Sequence, residues 1–132
     1  MSGWDRNEEL GKLSKRNLDG SNLAIAKMWI FHRDLEFQSW KYANAKSEYG
    51  RRFAKVVIQC RLDGSAKSDE TAKSFAEMDD EVYAAHQAYR LAEQMVTADR
   101  EALKILHAEL DAYRTARADA RMADEFQART SI

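Results

Sequence analysis

Residues 75–113 read FAEMDDEVYAAHQAYRLAEQMVTADREALKILHAELDAY. Phe75, Val82, Tyr89, Val96, Leu103 and Leu110 recur every seven residues, and Met78, Ala85, Ala92, Asp99, Leu106 and Tyr113 form the complementary series. An apolar residue alternately three and four places on marks one face of a long helix that packs along another, as in a coiled coil. Asp99 alone departs from the pattern. It lies just after Thr97 and just before Arg100-Glu101, where a cap and a new helix start could fall and give an up-down-up bundle. The heptad phase is the same on both sides of it, and an independent helix has no need to keep register, so one continuous helix is expected. Ser68 offers an N-cap oxygen, and Asp69 and Glu70 favour the positive end of the helix dipole. The reading is a helix over about 68–126.

Upstream, Asp63-Gly64-Ser65 is a turn, and a second helix is expected over 21–62, with Ser21 or Asn22 as its cap. Met28, Phe31, Leu35, Tyr42, Ala45, Tyr49, Val56 and Cys60 keep three- and four-residue steps along it, with Phe53 close by. Leu23, Ile25, Trp29, Ile30, Phe37 and Trp40 lie off that stripe, so residues 23–42 are apolar on more than one side and one partner helix cannot cover them. Trp29, Ile30, Phe37 and Trp40 are therefore the expected oligomer interface. The run from Asn22 to Phe31 also admits a strand. A short amphipathic helix over 5–17, ended by Asp19-Gly20, completes the chain.

The fold class expected is all-α: a long antiparallel helical hairpin or coiled coil with a short N-terminal helix, one domain over residues 1–132, and oligomeric. The chain has 132 residues, no proline and five glycines, so little forces it out of a helix. At 1.5 Å rise per residue the last helix would span roughly 85–90 Å against roughly 60 Å for the second, leaving an overhang from about Asp111 that needs a partner. One cysteine, Cys60, excludes an internal disulfide and a thiolate metal cluster. The first residues do not read as a signal peptide, and no run approaches a membrane span of about 20 apolar residues. The expected setting is the cytoplasm.

Chemistry is sparse. His86 and His107 have Tyr83 and Lys104 three residues before them, not the glutamates of a di-iron bundle, and no phosphate loop or nucleophile elbow occurs. No catalytic residue, cofactor, metal or small-molecule substrate is assigned, and the chain is read as a non-enzyme. Residues 1–65 hold twelve Lys/Arg against eight Asp/Glu, and residues 66–132 hold nine against fourteen. Attraction between the two arms of a hairpin is the simpler explanation of this split, and a nucleic-acid surface on the first arm is the alternative. Arg51, Arg52, Lys55 and Arg61, with Tyr49 and Phe53 among them, form the candidate contact for phosphates and an unpaired base. Asp69, Glu70 and Glu77 stand ready to neutralise them across the turn.

From Tyr49 to Phe126 the chain resembles small helical proteins encoded beside recombination and replication genes of tailed bacteriophages. The resemblance is carried by Tyr49 with Arg51-Arg52, by Asp63-Gly64-Ser65 followed by Thr71, by Glu81, by Tyr89 with Ala92-Glu93, and by Leu110-Asp111-Ala112-Tyr113-Arg114-Thr115. It implies a non-enzymatic accessory to single-strand annealing or homologous pairing, acting on single-stranded DNA or a recombinase in the host cytoplasm. The competing expectation is a protein-directed inhibitor or scaffold of the host-takeover type, with no nucleic-acid affinity.

Overall fold

In the computed structural model, residues 3–130 are described. Every regular element among them is α-helical: α1 (Arg6–Leu13), α2 (Gly20–Leu62), α3 (Asp69–Met78) and α4 (Asp80–Thr130). The Asn22 to Phe31 run lies inside α2, so the strand alternative is not realised. None of these helices is long and apolar enough to cross a membrane.

Each helix start has a chemical cause. The Asp5 carboxylate accepts hydrogen bonds from the amides of Asn7 and Glu8 at 2.8 and 3.2 Å, and Asp19 accepts from Asn22 at 3.0 Å. Asp19 therefore caps α2, not Ser21 or Asn22. α1 ends at Leu13, four residues before the expected end, and Asn17 beyond it takes a positive φ of 45°. After Leu62 the turn is built as its composition demands. Gly64 takes φ +79°, and the Asp63 carboxylate accepts from both the amide and the hydroxyl of Ser65. Ser68 caps α3 through the Thr71 amide at 3.2 Å.

The expected helix over 68–126 is broken, and the break is at Asp79, not near Thr97. Asp79 adopts an extended backbone, and its carboxylate accepts from the Val82 amide at 3.1 Å. With Asp80 and Glu81 in the next turn, this acidic run acts as a stop and a restart. Thr97, instead of capping, returns its hydroxyl to the Glu93 carbonyl at 3.1 Å, and α4 passes through unbroken.

The chain forms two compact units, one from the residues up to Leu35 and those from Asp99 onward, the other from Glu36–Ala98. In the first, α2 and α4 run antiparallel, with Ser21 beside Arg117 and His32 beside His107. Its core holds Leu13, Ala24, Leu103, Leu106 and Leu110. Gly20 lies so close to the Tyr113 ring that a Cβ there would stand 2.6 Å from it, which explains a glycine at this helix start. In the second unit Val82, Ala85, Ala92 and Val96 of α4 are buried with Ala66, Ala72 and Ala76. Because of the break, Phe75 and Met78, expected in the seam, are exposed, and the alanines of α3 take the inner places.

Burial predicts a contrast along α4. Leu103→Ala should cost about 2–4 kcal/mol through transfer and cavity formation, whereas exposed Leu91→Ala should stay within about 0.5 kcal/mol; denaturant unfolding followed by circular dichroism measures both.

Candidate functional site

Two places in the molecule concentrate polar chemistry. The first lies in the core of the unit that joins the chain ends. Asp34 of α2 and Asp99 of α4 are 2 % and 0 % exposed, and they lie close enough that each disfavours ionisation of the other. Trp4 Nε1 donates to Asp34 at 3.0 Å, and an Arg6 guanidinium nitrogen donates to Asp99 at 3.0 Å and lies 3.8 Å from Asp34. The segment before and into α1 is thereby tied to both helices. Arg33 stacks on the Trp4 ring at 4.5 Å and Arg6 lies over Phe31 at 5.4 Å. Burial, then the hydrogen bond and charge of Asp34, push the Asp99 carboxyl up to about 7, against the opposing pull of Arg6.

Asp99 is the anomaly of the heptad, whereas its counterpart Asp34 lies between Phe31 and Leu35 of the α2 stripe and leaves no mark in the periodicity; the gap from Leu35 to Tyr42 holds the buried Gln38 instead. Trp4 and Arg6 carry no sequence signal of this role. The pair is shut off from solvent and ties α1, α2 and α4 together.

The second place is the C-terminal part of α2, the expected contact region. Arg51 and Arg52 are both held by Glu48 of their own helix, at 2.9 and 2.6 Å, and their hydrogen bonds lower the Glu48 carboxyl to about 2. Arg52 also lies 3.9 Å from Glu81, and Arg61 pairs with Asp69 at 3.3 Å. Neutralisation across the turn thus comes from Asp69 and Glu81, while the main partner is the intrahelical Glu48. Lys55 forms no ion pair among the described residues.

Tyr49 is half-buried, and its ring is engaged by neighbouring aromatic groups. Its ring stacks on His86 at 4.7 Å and on Tyr89 at 5.9 Å, and it sits 6.0 Å from Phe53. His86 is therefore part of a half-buried aromatic stack, which Tyr42 extends against Tyr89 at 5.5 Å. A hydrogen bond with Tyr42 and partial burial hold the Tyr89 phenol above its ordinary pKa.

What α2 does present is a strip missed in the sequence. Arg51, Lys55, Ile58 and Leu62 follow one another at three- and four-residue steps, and with Ala54 and Gln59 they line an open groove of about 670 Å³. Ile58 and Leu62 are 58 % and 83 % exposed. Beside it Arg51, Arg52 and Lys55 line a polar groove of about 380 Å³ with Asp79 and Glu81.

The expected oligomer residues divide between the units. Trp29, exposed, and Ile30, half-buried, belong to the first, whereas Phe37 and exposed Trp40 belong to the second and stack at 6.5 Å, with Lys41 over Phe37 at 5.4 Å. No protein-family model, curated protein or solved structure matches the chain.

The raised Asp99 pKa carries a signed prediction. A folded-state pKa above the ordinary carboxylate value contributes stability in acid, and that contribution is lost as pH rises from about 4 to about 7. Asp99→Asn keeps the acceptor for Arg6 without the titrating charge. It should gain on the wild type as pH rises from about 4 to about 7, ending ahead by about 1–2 kcal/mol, or roughly 3–8 °C in Tm. Melting curves that keep the same separation at every pH would contradict this assignment.

Proposed function

We propose that this chain is a non-enzymatic, oligomeric helical adaptor that docks a protein partner on the Arg51–Leu62 strip of α2. The observation that carries this reading is the pairing, on one helix face, of two large exposed aliphatic residues, Ile58 and Leu62, with the cations Arg51 and Lys55. Aliphatic anchors spaced four apart and flanked by charge suit the groove or helix of another protein. An unpaired base, by contrast, seeks an aromatic face, and Tyr49 and Phe53 are already spent against His86 and each other. The internal ion pairs of Arg51, Arg52 and Arg61 further reduce what the segment offers to phosphates.

The resemblance to phage recombination accessories makes a strand-exchange recombinase the first partner to try, with single-stranded DNA as the rival. The expected outcome of a fluorescence-anisotropy titration is binding to a labelled single-stranded oligonucleotide coated with recombinase, and not to the bare oligonucleotide. Ile58→Ser with Leu62→Ser should weaken that binding at least roughly tenfold, as should Arg51→Ala with Lys55→Ala. Binding to bare DNA with a steep salt dependence, lost only in the Arg51/Lys55 variant, would identify a DNA surface instead. No binding to either form would remove the recombination role.

A further inference from the structure

α4 carries a second heptad that nothing in its own unit covers. Ile105, Ala112, Asp119 and Phe126 recur every seven residues, and Ala108, Thr115 and Met122 form the complementary series. All seven are exposed; Ile105 is at 62 %, and Met122 and Phe126 are each at 67 %. The buried seam of the same helix segment runs through Leu103, Leu106 and Leu110. Ile105 and Ala112 each follow a seam leucine by two residues, or about 200° of helix rotation, so the two stripes lie on opposite sides of α4. Arg117 lies on the inner side, where it donates to Ser21 at 3.1 Å. From Asp111 onward every described residue of the helix is exposed, and a helix of that length is marginal in water without a packed face.

We propose that a second copy of this chain packs antiparallel along this outer face, in a two-fold register centred on residue 117. Each residue then faces the one equally far beyond the centre in the other copy. Ala108 meets the partner's Phe126, Ala112 meets the partner's Met122, and Thr115 meets the partner's Asp119. Ile105 meets the stem of the partner's Arg129, the two apolar pairs set a large side chain opposite an alanine, and the one acid in the stripe meets a hydroxyl that can donate to it. A parallel in-register pair would instead set Asp119 against Asp119 in an apolar seam, two like charges where neither has a counterion. Ala116 and Ala123 flank the stripe and let the backbones approach. The contact is isologous, so it closes as a dimer and leaves no open face to propagate. This moves the self-association surface from the tryptophan segment of α2 to the outer face of α4. It rests on the reading of the chain as an oligomer, but not on the Arg51–Leu62 strip.

Sedimentation of the full chain measures the assembly, and paired cysteines measure the register. In a Cys60→Ser background, Ala112→Cys and Met122→Cys should each resist disulfide formation alone, because like positions of the two copies stand roughly 15 Å apart along the axis. Mixed in equal amounts they should cross-link. Met122→Glu with Phe126→Glu should weaken the dimer roughly 100-fold while helicity by circular dichroism is kept, since both positions are solvent-exposed in the single chain. Cross-linking of Ala112→Cys alone would overturn the antiparallel register. A dimer indifferent to the glutamates would overturn this interface and leave the oligomeric reading standing. A wild-type monomer would overturn both. Retained recombinase binding by the glutamate variant keeps the docking strip separate from either failure.

Discussion

Two carboxyl groups, Asp34 and Asp99, meet in a core otherwise made of leucine and alanine, and the unit around them is organised by what that meeting demands. Neither can be buried as a lone charge, so each needs nearby donors, and their closeness disfavours ionising both. Trp4 and Arg6 supply those donors from the segment at and before α1, which draws that segment onto α2 and α4 although α1 itself buries only Leu13. A purely apolar seam tolerates sliding by a heptad. A seam with one acid on each helix is satisfied only when the two are opposite, so the pair also sets the register of α2 on α4 within this unit.

In the second unit the packing follows from side-chain size. Alanines at 72, 76, 85 and 92 bring backbones close, and the space between α2 and α4 is filled by Tyr42, Tyr49, His86 and Tyr89 in a continuous stack. Aromatic residues that looked available to a ligand are thus used for packing. Their use inward is what leaves the adjacent face of α2 to aliphatic and cationic side chains.

Electrostatics within a single helix had the same redirecting effect. Glu48, three and four residues before Arg51 and Arg52, engages both guanidinium groups, and an arginine so engaged is a weaker phosphate ligand than its formal charge implies. The difference in charge between the two halves of the chain does appear as pairs across the turn, Arg61 with Asp69 and Arg52 with Glu81, but these are exposed and contribute little to stability.

The amino-acid sequence by itself determined that the protein is helical, where the turn at Asp63-Gly64-Ser65 falls, that Ser68 starts a helix, and that Val82, Ala85, Ala92, Val96, Leu103, Leu106 and Leu110 point inward. Those features depend on local propensity and on a 3.5-residue period, both of which are written along the chain. The tertiary structure alone decided that Asp79 interrupts the helix, because an aspartate can solvate a helix face or cap a helix end, and only the packing of Ala72 and Ala76 selects between them. It likewise decided that Asp99 is matched by Asp34, 65 positions away, and that Tyr49 is spent on His86. Partners separated by that much chain leave no periodic trace, since their pairing is a property of how two helices are brought side by side.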